Sequence, residues 1–187
     1  GDALANADAV LETLRNIRAI DNDVLFCIST NGLLLPRYAE ALCGAGVSHI
    51  TVTVNAATPE TAQKIYRYAD YDGRRYTRAE AARLILQNQI EGIQKAAALG
   101  MLCKVNIVAI PGLNTGEIPA IMRRVKDAGA SLANIMPLIP VEHTLFENFP
   151  RPAHDEIAAL RAECEPILPQ MTHCRHCRAD AAGMLCD

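Results

Sequence analysis

Four short apolar runs, each followed by a helix-like segment, constrain this chain more than anything else in it. The run Val24-Leu25-Phe26-Cys27-Ile28 is nearly all apolar and stops abruptly at Ser29-Thr30-Asn31-Gly32. So short a run without alternation is the pattern of a strand buried on both faces. Residues 48–54 are β-branched and end in Asn55, 101–109 end in Ile110-Pro111-Gly112, and 132–136 end in Pro137. Around these runs the pattern is helical. Residues 7–19 carry Val10, Leu14 and Ile17 at i, i+4, i+7, with Asn6 or Asp8 as cap. Pro36 opens a helix to about Leu42, closed by Gly44 and Gly46, and Thr58-Pro59-Glu60 starts another with a capping residue before a proline. The longest helix runs over 78–99 with Leu86, Ile90, Ile93 and Ala97 on one face; others cover 117–128 and 153–167. The polar and aromatic stretch 68–76 reads as a loop. Strands alternating with helices form parallel βαβ units with right-handed crossovers. Four strands are too few for an eight-stranded barrel, so the expected fold class is α/β, a partial parallel (βα) barrel.

Composition narrows the function. The 187 residues are 50% hydrophobic and 21% charged, enough apolar material for one domain with a real core. A net charge of −3 gives no electrostatic grip on nucleic acid or an anionic membrane. No apolar run approaches the roughly 20 residues of a membrane span, and residues 1–22 lack the order of a signal peptide, so a cytoplasmic protein is expected. Seven cysteines, an odd number, favour metal or redox chemistry over a disulfide framework. The chain opens on Gly1-Asp2-Ala3-Leu4-Ala5-Asn6 without a Met, as a piece of a longer protein would.

In parallel α/β folds chemistry sits at the C-terminal ends of the strands. Those ends here are Ser29-Thr30-Asn31, Asn55, Pro111-Gly112 and Pro137. Side chains alternate along a strand, so Cys27 points with Ser29, while Cys103 has the opposite phase to Asn106 and is expected against the helices. Cys43 and Cys164 read as packing residues. Near the end stands His173-Cys174-Arg175-His176-Cys177-Arg178, a CxxC with no second CxxC to complete it. It suits an iron–sulfur cluster, part of a zinc site or a redox pair. Arg175 and Arg178 suit an anionic cluster through charge-assisted hydrogen bonds.

Taken in order, the opening Gly1–Asn6 hexapeptide, Cys27-Ile28-Ser29-Thr30-Asn31-Gly32-Leu33, Thr51-Val52-Thr53-Val54-Asn55-Ala56, Val105-Asn106 with Ile110-Pro111-Gly112, Asn134-Ile135-Met136-Pro137-Leu138-Ile139-Pro140 and Cys174-Arg175-His176-Cys177-Arg178-Ala179-Asp180-Ala181 resemble the NifB family of radical S-adenosylmethionine (SAM) maturases along the whole chain. The resemblance implies the later part of a radical SAM (TIM-barrel-like) core, with the first strands missing. Residues 1–152 would form the truncated barrel, and 153–187 the C-terminal helix and cluster-binding tail of the same domain. It implies a reaction that joins two 4Fe–4S clusters and inserts a SAM-derived carbon, giving the 8Fe precursor of the nitrogenase cofactor. It implies SAM around Gly1, Asp2, Ser29, Thr30, Asn31, Asn55 and Met136. Cys27 would ligate one substrate cluster, and Cys174 with Cys177 the other, the tail folding back over the strand-end rim. A third 4Fe–4S cluster, which cleaves SAM, needs a CxxxCxxC that these residues do not contain, so the segment alone is expected to be inactive. Ala3 stands where the family usually has Pro. Iron–sulfur donors and NifX-like and NifEN-like carrier and scaffold proteins would be the partners. The alternatives are another radical SAM enzyme with an auxiliary cluster, and a non-catalytic zinc or redox module on an α/β domain.

Overall fold

The computed structural model describes residues 2–171. The expected roles of Gly1, Cys174 and Cys177 lie outside the described residues. In chain order the elements are a 3-10 turn at Ala3–Asn6, α1 Ala7–Ile20, β1 Phe26–Thr30, α2 Leu35–Gly44, β2 Val47–Thr53, α3 Pro59–Ile65, β3 Tyr68–Tyr71, β4 Arg74–Thr77, α4 Arg78–Ala98, β5 Leu102–Ala109, α5 Ile118–Asp127, β6 Leu132–Pro137 and α6 His154–Cys164. The expected starts hold: Pro36 lies in the first turn of α2, and Thr58 caps α3 by accepting from the Thr61 N–H at 3.3 Å, with Pro59 next.

β1, β2, β5 and β6 form one parallel sheet in that order, matching their order along the chain. When strand order never reverses, right-handed crossovers put every helix on the same face. That is the geometry of a barrel wall rather than of a doubly wound sheet. The packing agrees: Ile50, Val52, Val54, Cys103, Val105, Ile107, Ala133 and Ile135 are all buried in one core with Leu35 and Leu42 of α2, Ile93 of α4, Ile121 and Met122 of α5 and Ile157 of α6. A close approach holds two of these helices. A Cβ on Gly92 would stand 2.8 Å from Leu35, so only glycine lets α4 lie so near α2.

The structure corrects four expectations. The run 24–28 is not buried on both faces: Leu25 is 75% exposed, Cys27 is exposed, and the strand proper is Phe26–Thr30. β1 is an outer strand, and the described helices cover only one of its faces. α1 buries Ala7, Leu11 and Leu14 rather than the Val10-Leu14-Ile17 stripe, and Ile17 faces outward. The last helix is shorter than 153–167 because it stops at Cys164. The supposed loop 68–76 is an antiparallel hairpin, β3 with β4. Its turn residues Asp72 and Gly73 both have positive φ, the conformation a tight two-residue turn demands. Arg75 pairs with Asp70 and lies over the Tyr68 ring, and Ala69 packs into a small cluster with Leu33, Ala81 and Ile85.

Candidate functional site

Opposite the helices the sheet presents its other face, and register stacks that face in layers. A bulge between Phe26 and Cys27 resets the pairing so that Cys27 stands beside His49, which in turn pairs with Leu102. One layer up lie Ser29, Thr51, Lys104 and Leu132. Above them come Thr53, Asn106 and Asn134, and then Val108 with Met136 near the strand ends. Where the strand residues on the helix side are apolar except for Thr30, this side carries a thiol, an imidazole, an ammonium, three hydroxyls and two amides. No packing role calls for such a set, and the interior of a barrel mouth is where polar groups converge on a ligand.

Two of these groups have unmet demand. Asn106 and Asn134, 8% and 2% exposed, are register neighbours, and among the described residues neither Oδ1 has a hydrogen-bond partner. Buried acceptors are normally satisfied, so a pair left open on one face points to a donor-bearing ligand.

The rim at the strand ends is built by hydrogen bonds that join one loop to the next. Asp2 accepts from the Leu4 N–H at 2.9 Å, from the Thr30 hydroxyl at 2.9 Å and from the Asn31 N–H. Thr30 Oγ1 in turn accepts from the Gly32 N–H, and Asn31 Oδ1 from the Leu33 N–H at 2.8 Å. Gly32 has φ +85°, and a Cβ there would meet Gln89 Cγ at 2.8 Å. Gln89, fully buried on α4, donates through Nε2 to the carbonyls of Asn31 and Thr53, both at 2.9 Å, and so ties the β1 and β2 ends together. Asn55 Oδ1 accepts from the Val108 N–H at 2.9 Å, while Asn114 Nδ2 donates to the carbonyls of Asn55 and Val108. Glu117 closes the ring by accepting from the Ala57 N–H and from the hydroxyls of Thr58 and Thr61. Burial pushes its carboxyl upward, but these hydrogen bonds together outweigh it and hold the group below its ordinary range.

The predicted residues thus separate by position. Asp2, Thr30, Asn31 and Asn55 are rim-building groups, Ser29 and Met136 belong to the face opposite the described helices, and Cys27 lies on that face below Ser29, its Sγ 3.8 Å from Thr51 Oγ1. Cys103 is on the helix side, as its phase requires, and burial pushes its thiol up to about 11; burial does the same to Cys164. Among the described residues no three His, Cys, Asp or Glu groups converge for a metal ion. The lead-in to the CxxC is visible: Met171 donates its N–H to the Ala133 carbonyl at 2.7 Å, and Gln170 bridges Ala133 in parallel, so 169–171 run beside the first half of β6. Met171 Sδ lies 3.7 Å from Lys104 Nζ, on the polar face. Sequence reasoning missed His49, Thr51, Lys104, Asn134 and Gln89. Counting alternate residues along β2, β5 and β6, as along β1, would have found all but the last.

The radical SAM superfamily model matches residues 1–125. The FeMo cofactor biosynthesis protein NifB of Klebsiella pneumoniae is 43% identical over 99% of this chain and 40% of its own length. Its counterpart in Chlorobaculum tepidum is 40% identical, with 99% and 44% covered, and that of Methanocaldococcus infernus 41% identical, with 99% and 60% covered. The chain therefore spans less than two thirds of these curated relatives. Among solved structures, the radical SAM methyltransferase TsrM of Kitasatospora setae, with cobalamin and a [4Fe-4S] cluster bound, aligns with TM-score 0.55 at 16% identity over 78% of this chain and 28% of that one. That likeness carries the fold.

Proposed function

This chain belongs to the radical SAM superfamily, and on that footing we propose that it forms the SAM- and substrate-binding wall of a NifB-type maturase of the nitrogenase cofactor. The reaction would join two 4Fe–4S clusters, which are substrates, and insert a carbon from a SAM methyl group to give an 8Fe product, a lyase-type conversion. One SAM would supply that methyl group, and a further SAM, reductively cleaved at a third 4Fe–4S cluster, would supply the radical that activates it.

The residues present fit such ligands. SAM carries amino and hydroxyl donors, and Asn106 and Asn134 offer two buried acceptor oxygens without partners among the described residues. The Asp2–Thr30–Asn31 and Gln89 bonds fix the rim beside them, with Ser29, Asn55 and Met136 completing the surround. Cys27 would hold one substrate cluster; Cys174 and Cys177, with Arg175 and Arg178 beside them, would hold the other.

The contact between Met171 and Lys104 carries this reading. It brings the lead-in to the CxxC onto the face that bears Cys27, which supports a tail that returns to that face. The three thiolates of the SAM-cleaving cluster are not among these residues, so activity is assigned to a chain that also carries them, and the segment by itself would be inactive. The protein would work in the cytoplasm, receive clusters from iron–sulfur donors and pass its product to NifX-like carriers and NifEN-like scaffolds. Among the described residues, no helix is long and apolar enough to cross a membrane.

Anaerobic reconstitution of the complete protein with iron and sulfide, followed by turnover with SAM and a reductant, tests the proposal. Cluster EPR signals and a transferable iron–sulfur product are expected. Stoichiometric zinc that iron does not displace, with no cluster signal, would establish the zinc module instead.

A further inference from the structure

Lys104 is the unexplained group on the polar face. It is half-buried, and its ammonium meets the thioether of Met171 at 3.7 Å, a weak acceptor; among the described residues it makes no ion pair. An ammonium on this face favours an anion beside it, and nothing in the core packing asks for a lysine here. Its position shows what would compensate it. Lys104 pairs in register with Thr51, and Thr51 Oγ1 is 3.8 Å from Cys27 Sγ, so Lys104 stands on the same face in the layer directly above the thiol, across β2 from it. The rim groups at Asn31, Asn55 and Met136 lie farther along the strands. The imidazole beside Cys27, His49, is already engaged through Nδ1 with Ser48 Oγ at 2.8 Å.

We infer that Lys104 is a positioning residue that supplies the countercharge for the anionic iron–sulfur substrate held at Cys27. This rests on the reading of Cys27 as a cluster ligand given above. An iron–sulfur cluster with thiolate ligands is a net anion whose sulfurs accept hydrogen bonds, and local positive charge and hydrogen bonding raise its reduction potential. The ammonium would bond cluster sulfur, retain the cluster before it is joined to its partner, and ease its reduction.

The test uses the complete protein, reconstituted anaerobically with iron and sulfide. Lys104→Met keeps the apolar stem and removes the charge; Lys104→Arg keeps the charge; Lys104→Gln replaces Met if thermal melting shows that Met perturbs folding. The relevant signal is the cluster EPR feature that disappears in Cys27→Ala. In Lys104→Met its midpoint potential should move negative, and iron retention against a chelator should weaken about ten-fold, the order of a lost charge-assisted hydrogen bond. SAM affinity should stay unchanged, and Lys104→Arg should restore potential and retention. An unchanged potential and retention in Lys104→Met would overturn the inference. So would a loss of SAM affinity with an unaltered cluster signal, which would pair Lys104 with the SAM carboxylate, or an Arg variant that behaves as Met does. If no cluster signal depends on Cys27, the ligand reading itself fails, and the inference with it.

Discussion

Gln89→Leu should loosen the rim from beneath. Gln89 is fully buried on α4, and its Nε2 holds the Asn31 and Thr53 carbonyls at 2.9 Å each. Leucine fills a similar volume but donates nothing. Two net hydrogen bonds at about 1 kcal/mol each are lost, and each abandoned carbonyl adds about 1 kcal/mol or more where water does not reach it. Against this, the Gln89 Oε1 has no partner among the described residues, so deleting it recovers about 1 kcal/mol. The balance is a loss of about 3 kcal/mol or more. Equilibrium urea unfolding reads this as a lower midpoint at unchanged slope. Gln87→Leu, one turn face away on the exposed side of the same helix, is the control and should stay within about 0.5 kcal/mol. The Asn31 loop should also hold SAM less firmly. If Gln89→Leu is as stable as Gln87→Leu, the buried amide is not a clamp and the account of the rim is wrong.

Gly32→Ala combines a left-handed φ of +85° with a Cβ driven into Gln89, and should cost about 2 kcal/mol or more by the same assay. Glu117 has a lowered folded-state carboxyl pKa, so its contribution is present above the unfolded value and is lost as pH falls through the folded one. Wild type should therefore lose stability in acid more steeply than Glu117→Gln, and parallel pH profiles would remove the carboxylate from the rim. Cys103, buried with its thiol at about 11, should resist alkylation in the folded protein while Cys27 reacts. Cys103→Ala should keep near-normal product formation at a stability cost of about 1 kcal/mol; an inactive variant with its clusters intact would contradict the helix-side placement.

The barrel-wall architecture was legible because its cause is local. Apolar runs, Thr58-Pro59 and the terminating glycines are each written in a few residues, and strand parity alone placed Cys27 and Cys103 on opposite faces. What escaped depends on partners distant in sequence. That Leu25 and Cys27 are uncovered follows from β1 being an outer strand, which no run of five residues can express. The hairpin was hidden by its polar, aromatic composition, although Asp72-Gly73 is a strong turn signal between two short β-prone runs. Gln89 lies beside the buried Asn88 on a helix face that is otherwise apolar, and the carbonyls of Asn31 and Thr53 explain it. The Asn55 Oδ1 secures the Val108 N–H, a link between the β2 end and β5 that the sequence around Asn55 does not express.

The central claim is that the face opposite the described helices holds an iron–sulfur substrate at Cys27. It is tested most directly by measuring bound iron, reductive SAM cleavage and product formation together in the complete protein carrying Cys27→Ala. The account predicts less iron, loss of one cluster signal and no product, with SAM cleavage still detectable because the SAM-cleaving cluster is held elsewhere. Undiminished iron and normal product from that variant would contradict it.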